Sequence, residues 1–185
     1  EIVYIDCFSG PWNVRSDDLD DASFSLAVRQ FRTAQAKVAE QWGKSIRFRC
    51  LFLEQNPDSY VHLKKFAEEQ SHSNISIKTI NDDFSHVIPE VYKFATQSGQ
   101  RSFCFLFIDP TGWKGFPMDQ IEPLLQLKHC EVLVNFMTSF IVRFIGVEHT
   151  GLEGSFTQLY GDRNYLPSDI MAPCDEREDR VVMAY

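Results

Sequence analysis

The feature that most constrains the fold is an unbroken apolar run over residues 103–108 that ends at Asp109-Pro110. A short apolar run bounded by turn residues is typical of a fully buried strand in a parallel sheet. In open α/β sheets, ligands bind just outside the carboxyl ends of such strands. The run therefore predicts a buried strand that delivers a carboxylate, and shortly after it Trp113, to a ligand-binding edge.

The rest of the chain alternates strand-like runs with helical patterns. The predicted strands are 2–5, 48–53, 75–80, 103–108 and 131–136, and the predicted helices are 22–42, 57–69, 84–97, 117–128 and 138–144. We expect Asp20 or Asp21 to cap the first helix and Gly43 to end it. We expect its core side to hold Phe24, Ala27, Val28, Phe31, Ala34, Val38 and Trp42. Strands joined by helices predict right-handed βαβ units and a parallel sheet covered on both faces.

The chain has 185 residues, which suits one domain with a real core. We expect a single domain over 1–185, with a regular core in 1–149 and a less regular extension in 150–185. In the extension, 156–160 is predicted to be helical and 181–185 to form a further strand. Because the sequence starts inside a strand pattern and without Met, we expect it to be part of a longer chain.

The net charge of −8 argues against a broad, nonspecific grip on nucleic acid, although it leaves room for a local basic patch in the first 50 residues. The five cysteines show no C-x-x-C spacing, and four of them lie in or beside predicted strands. We therefore expect buried free thiols in a reducing cytoplasm rather than disulfides or a zinc site. No apolar stretch reaches membrane-spanning length, so no membrane partner is expected.

Acidic residues close each of the first four predicted strands: Asp6, Glu54, Asp82 or Asp83, and Asp109. A doubly wound sheet brings these ends together along one edge. An acid after the second strand can accept hydrogen bonds from both ribose hydroxyls, and one after the third from an adenine amino group. The alternative is that these acids cap the following helices.

The loop after the first strand, residues 6–12, contains a single glycine, Gly10. It therefore lacks the G-x-G-x-x-G fingerprint of dinucleotide-binding proteins, and the chain contains no P-loop. Such a loop suits a nucleoside ligand without phosphates to hold. S-adenosylmethionine, which joins adenosine to a charged amino acid, is a ligand of this kind.

Several motifs together resemble the three-Cys-motif partner protein (TcmP) family. They are Asp6-x-Phe8-x-Gly10-Pro11, Glu54-Gln55-Asn56-Pro57, Asp82-Asp83-Phe84, Ile108-Asp109-Pro110-x-Gly112-Trp113-Lys114-Gly115 and the segment 131–137. The resemblance spans about residues 2–145. It implies a class I S-adenosylmethionine-dependent methyltransferase-like protein: a Rossmann-like, doubly wound and mostly parallel sheet with strand order 3-2-1-4-5. It also implies a partner, encoded nearby, that carries a three-cysteine motif of the radical-enzyme type.

The resemblance also assigns cofactor-binding residues. Asp6, Ser9 and Gly10 would line the methionine end of S-adenosylmethionine, Glu54 would bind the ribose, and Asp82 or Asp83 with Phe84 would bind the adenine. Phe8 and Gln55, which belong to the same motifs, complete the expected cofactor site. Where the family usually has another Gly after Gly-Pro, this chain has Trp12.

The Asp109 loop also resembles the Asp-Pro-Pro-aromatic motif of methyltransferases that act on amino groups of adenine or cytosine. By that resemblance, Asp109, Pro110 and Trp113 are the candidate catalytic residues. The acid and a following backbone carbonyl would orient the acceptor amine, and the indole would stack on an extruded base. Trp113 is equally compatible with simple packing. Asn135 is a candidate substrate contact or a residue that satisfies loop backbone. The expected acceptor is an amino nitrogen on a nucleic acid or another macromolecule.

Two other functions remain open. The first is a catalytically silent methyltransferase-fold module of the three-Cys-motif partner, which Trp12, the missing glycines and the acidic charge favour. The second is a metal-dependent phosphodiesterase in which Asp82, Asp83 and Asp109 chelate magnesium.

Overall fold

The computed structural model describes residues 1–10, 19–97, 102–110, 112, 114–144, 153–161 and 180–182. Along the chain its elements are β1 (Ile2–Asp6), α1 (Ser23–Trp42), β2 (Phe48–Leu53), α2 (Pro57–Gln70), β3 (Ile75–Ile80), a 3-10 turn (Phe84–His86), α3 (Ile88–Thr96), β4 (Phe103–Ile108), α4 (Met118–Leu125), β5 (Cys130–Val134), α5 (Thr138–Phe144) and α6 (Glu153–Tyr160). No helix in these ranges is long and apolar enough to cross a membrane.

The five strands form one parallel sheet in the order β3-β2-β1-β4-β5. The central strand β1 pairs with both halves of the sheet; Ile5, for example, lies between Leu51 on β2 and Leu106 on β4. The chain is therefore an α/β protein with the predicted strand order. Because the order reverses between β1 and β4, the carboxyl ends of these two strands flank a switch point, where α/β sheets bind ligands.

Side chains on the two faces of the sheet belong to two separate cores. The larger core joins Val3, Leu51 and Leu106 to residues from α3, α4, α5 and α6. The smaller core joins β1, β2 and β3 to α1 and α2, and is rich in aromatic rings. Phe31 stacks on Phe48 with ring centroids 4.4 Å apart. Burial of these large rings contributes hydrophobic stabilisation on this face of the sheet.

The prediction that 103–108 is fully buried is wrong for alternate residues. Cys104, Leu106 and Ile108 are buried, whereas Phe103 is 38% exposed, and Leu133 on neighbouring β5 is 51% exposed. The physical reason is topological. Helices α1 and α2 follow β1 and β2 and cover only β1–β3, while the described helices after β3 pack into the larger core on the other face.

Helix boundaries differ from prediction where no strong cap fixes them. Helix α1 begins at Ser23 with Ala22 as its N-cap and no capping side chain, so the predicted cap by Asp20 or Asp21 is wrong. Trp42, expected in the core, is 64% exposed. Gly43 does end the helix, in the left-handed conformation with φ of 60°. Asn56 caps α2, because its side chain accepts hydrogen bonds from the backbone N–H groups of residues 58 and 59.

Two other predicted helices are shorter in the structure. The region 84–97 divides into the 3-10 turn and α3, because Pro89 lacks the N–H that a continuous helix needs and suits a first turn instead. Helix α4 starts after Pro117 and ends at Leu125, with Pro123 inside it. The predicted strand at 181–185 is wrong for Val181 and Val182, which are helical; a run this short carries no clear periodicity.

The four described cysteines, Cys7, Cys50, Cys104 and Cys130, are free thiols. The first three are buried as expected, whereas Cys130 is only partly buried. Cys174 lies outside the described residues.

Candidate functional site

A cavity of about 400 Å³ opens at the carboxyl ends of β1, β2 and β3. It is lined by Cys7, Phe8, Leu53, Glu54, Gln55, Asn56, Pro57, Asp82, Asp83 and Phe84. Its volume lies within the range of about 300–1,000 Å³ that is usual for small-molecule sites. The acids predicted after β2 and β3 therefore meet in one cavity, together with both predicted aromatic residues, Phe8 and Phe84.

Glu54 is the carboxylate held most firmly in this cavity. Its side chain is 5% exposed, and its Oε1 accepts a hydrogen bond of 2.5 Å from the backbone N–H of Asn56. Burial raises the pKa of Glu54, while the backbone N–H groups of Asn56 and Gln55 oppose that rise. Because a carboxylate offers about four lone-pair positions, these two bonds leave capacity for two further donors.

The backbone around Glu54 is fixed by a residue that the sequence did not single out. The amide of Asn81, at the end of β3, donates to the backbone oxygens of Glu54 (2.7 Å) and Gln55 (3.1 Å). These bonds tie the loop after β2 to the loop after β3. The only sequence signal was the position of Asn81 directly before the two acids.

Asp82 and Asp83 were predicted either to bind a ligand or to cap the next helix, and the structure shows what each of them contacts. Oδ1 of Asp83 accepts from the backbone N–H and the hydroxyl of Ser85, so Asp83 caps the 3-10 turn. Asp82 is exposed and accepts from its neighbour's N–H and from Nδ1 of His86, at 3.0 Å. The hydrogen bond from His86 is the main cause that lowers the pKa of Asp82. Asp83 is therefore a capping residue, Asp82 pairs with His86, and both acids line the cavity.

Two aromatic rings form an apolar wall. The rings of Phe8 and Phe84 lie 5.6 Å apart, and Phe84 is 2% exposed. Gly115 also lies next to Phe8, because a Cβ added at Gly115 would be 3.7 Å from the Phe8 ring. Gly115 also has a φ of +91°, which disfavours any other residue. The Phe8 ring therefore neighbours both Phe84 and Gly115.

Asp6 is the last residue of β1, and Ser9 and Gly10 lie in the loop after it; all three are buried, and none of them lines the cavity. The two oxygens of Asp6 accept from the backbone N–H of Phe8 and, at 2.8 Å, from the hydroxyl of Ser23. Ser9 donates its hydroxyl to the Asp6 carbonyl and its N–H to the Leu53 carbonyl. Ser23, at the start of α1, is a contact that the sequence analysis missed.

Asp6 is fully buried, with no cationic partner among its described hydrogen bonds. Burial raises its pKa from 3.8 to about 6, although the hydrogen bonds from Ser23, Phe8 and Ser9 act in the opposite direction. The negative charge of Asp109 also raises the pKa of Asp6, by a smaller amount. A buried, raised-pKa acid at a strand end is the kind of group that functional sites concentrate.

Asp109 and Pro110 form a second part of this edge, outside the cavity lining. Nδ2 of Asn135 donates to Oδ1 of Asp109 over 2.6 Å, and the Pro110 carbonyl accepts from Gly112 N–H. Asn135 therefore contacts Asp109 itself, a role neither of its two predicted alternatives named. Among the described residues no three acids, histidines or cysteines are placed to hold a metal ion, so the structure does not bring Asp82, Asp83 and Asp109 together as the predicted magnesium ligands.

Trp12 and Trp113 lie outside the described residues. The remaining predicted site residues lie along one edge of the sheet: a cavity at β2–β3, the buried Asp6 loop at β1, and Asp109 at β4. We compared the chain with protein-family models, with curated proteins and with solved structures, and none of the three comparisons found a match.

Proposed function

We propose that the cavity binds S-adenosylmethionine and that the protein is a methyltransferase of the class I type, acting on an amino nitrogen. The observation that carries the proposal is the buried Glu54 carboxylate beside an aromatic wall, at the carboxyl edge of a parallel sheet. The resemblance of the motifs to the TcmP family points to the same cofactor.

The ribose is the first part of this ligand that the residues fit. Glu54 is held by backbone N–H groups and by Asn81 acting on the loop, so its remaining lone pairs have a fixed direction. Two neighbouring ribose hydroxyls are donors that match this arrangement. A hydrogen bond to an ionised acceptor is roughly twice as strong as a neutral one, which makes Glu54 the main anchor.

The adenine is the second part. Asp82 and Asp83 provide acceptors for an exocyclic amino group, and the wall of Phe8 and Phe84 provides apolar contact for a flat base. In contrast, the cavity offers no described cationic lining residue, and its three carboxylates repel phosphates. This charge pattern favours a nucleoside without phosphates over a nucleotide.

The bound cofactor would supply an electrophilic methyl group, and the chain's own residues would place the acceptor. Asp109 lies at the end of β4, next to the central strand, and Asn135 fixes one of its oxygens. The remaining lone pairs of the carboxylate can accept from an amine and so hold its nitrogen lone pair toward the methyl. Positioning of this kind supplies much of the rate in group transfer.

Equilibrium binding tests the proposal with three ligands: S-adenosylmethionine, S-adenosylhomocysteine and ATP. We expect the first two to bind and ATP to fail to compete, because the lining is acidic. A folded protein that binds neither adenosyl compound, or that binds ATP as tightly, contradicts the proposal.

A second candidate is a methyltransferase-fold module that binds the cofactor and a three-Cys-motif protein but transfers nothing. The observation that favours it is that Asp109 and the Pro110 carbonyl both already have intramolecular donors. The two candidates differ in the effect of Asp109→Asn. Methyl transfer is measured from labelled S-adenosylmethionine to the macromolecules of a cell extract. If the unmutated protein transfers the methyl group and Asp109→Asn does not, the enzyme is supported. If neither protein transfers it, the module is supported.

A further inference from the structure

A pair of cysteines lies at the edge of the sheet opposite the candidate site. Cys104 on β4 and Cys130 on β5 are direct register partners near the amino ends of their strands. Neighbouring strands are about 4.8 Å apart, within the range of about 4.4–6.8 Å that a disulfide spans between Cα atoms. Because paired residues of a sheet point to the same face, the two thiols are neighbours.

These thiols share a cavity of about 510 Å³. Cys104 and Cys130 line it together with Thr96, Lys128 and His129, among others. Cys104 is 5% exposed, whereas Cys130 is partly exposed. The cavity therefore gives a small reagent access to the Cys130 sulfur first, with the less exposed Cys104 on the neighbouring strand.

The two sulfurs are also electronically distinct. The neighbouring Cys104 thiol lowers the pKa of Cys130, although partial burial and the nearby charge of Glu131 act in the opposite direction. The neighbouring Cys130 and burial raise the pKa of Cys104. The Sγ of Cys130 also donates a hydrogen bond to the Glu131 carbonyl over 3.8 Å. Because the Cys130 sulfur is the more exposed of the two and the thiolate is the attacking species, Cys130 is assigned as the nucleophile and Cys104 as the resolving thiol.

We propose that Cys104 and Cys130 form a dithiol site that reacts with low-molecular-weight disulfides and closes to an intramolecular disulfide. The Cys130 thiolate attacks one sulfur of the reagent, forms a mixed disulfide and releases one thiolate. The Cys104 thiol then attacks the Cys130 sulfur, and the second reagent thiolate leaves with the Cys104 proton. The protein loses two electrons and the reagent gains them, so one disulfide is exchanged for another.

Two other cysteines serve as internal controls. Cys7 is 2% exposed, and burial raises the pKa of its thiol; Cys50 is fully buried, and burial raises its pKa to about 12. Neither thiol lines the cavity shared by Cys104 and Cys130. Both should react only when the protein opens, roughly tenfold or more slowly than Cys130.

The experiment uses the full chain with Cys174→Ser, which removes the cysteine outside the described residues. The reduced protein is mixed with glutathione disulfide, alkylated at timed intervals and mapped by peptide mass spectrometry. We expect glutathione on Cys130 first and then a Cys104–Cys130 cross-link, while Cys7 and Cys50 stay reduced. In Cys104→Ser, glutathione should remain on Cys130; in Cys130→Ser, Cys104 should stay reduced. Circular dichroism confirms that each variant is folded.

Two results overturn the proposal. One is a stable glutathione adduct on Cys130 with Cys104 intact, and the other is oxidation of this pair no faster than that of Cys7 or Cys50. If a serine variant does not fold, the order of adduct and cross-link in the timed samples of the Cys174→Ser protein still decides the question.

Discussion

Asn135 donates a hydrogen bond from Nδ2 to Oδ1 of Asp109 over 2.6 Å, and its backbone N–H donates to the Ile108 carbonyl. One residue at the end of β5 therefore fixes both the backbone and the carboxylate at the end of β4. The arrangement sets the direction of the Asp109 carboxylate. Such preorganisation is the property that a positioning carboxylate needs.

Replacement of Asn135 should separate the proposed acceptor side of the site, at Asp109, from the proposed cofactor cavity. We expect Asn135→Ala to lower the free energy of unfolding by about 1 kcal/mol, because one side-chain hydrogen bond is lost. Its affinity for S-adenosylhomocysteine should stay unchanged, since neither Asn135 nor Asp109 lines the cavity. Denaturant unfolding and calorimetry measure the two quantities. A tenfold or larger loss of affinity contradicts this division.

Asp6 should make the protein less stable as pH rises through the range from about 4 to 6. Its pKa is raised from 3.8 to about 6 in the folded state, so in this range the folded protein binds the extra proton. The unfolded state ionises first, and the free energy of unfolding falls with pH by about 3 kcal/mol in total. This loss of stability is absent below about pH 4 and is complete above about pH 6.

Asp6→Asn tests that pH dependence, because asparagine cannot ionise. The variant should be more stable than the unmutated protein by about 1–3 kcal/mol at pH 7.5. The difference should shrink as pH falls from 6 to 4. Comparing the two proteins cancels contributions from other groups such as Glu54. Equal stability at pH 7.5 and parallel pH profiles show that Asp6 is not a buried, costly charge.

Two aromatic residues of α1 should differ sharply in their contribution to stability. Phe24 is fully buried, and its ring centroid lies 4.8 Å from that of Phe66, whereas Trp42 is 64% exposed. We expect Phe24→Ala to cost about 3–5 kcal/mol and Trp42→Ala less than about 0.5 kcal/mol. Guanidinium unfolding measures both. Similar losses for the two variants contradict the placement of α1 on the sheet.

The sheet order and most element positions could be predicted because local signals agree with one another there. Asn56-Pro57 reads as a helix start, and the structure uses Asn56 as the cap. The strand-end acids after β2 and β3 were predicted to meet, and they line one cavity. These features follow from turn chemistry and from the rule that parallel strands end at one edge.

Exposure within β4 could not be predicted because an all-apolar run carries no alternation. Nothing in the sequence of 103–108 distinguishes Phe103, which is partly exposed, from Cys104, which is buried. Contacts such as Ser23 with Asp6 join residues 17 positions apart and depend on how α1 packs. The Cys104–Cys130 pairing likewise depends on strand register, which no local motif specifies.

Calorimetric titration of S-adenosylhomocysteine into Glu54→Gln, beside the unmutated protein, addresses the role of the cavity. Glutamine keeps the oxygen that accepts from Asn56 but removes the charge, so the fold should persist and affinity should fall about 10- to 100-fold. Glu69→Gln is the matched control, because Glu69 is exposed on α2. Its Oε1 forms a surface ion pair with Nζ of Lys65 over 3.9 Å. We expect its affinity to equal that of the unmutated protein. Equal affinities for all three proteins, or no heat of binding in the unmutated one, would contradict the assignment of Glu54 as the ribose anchor.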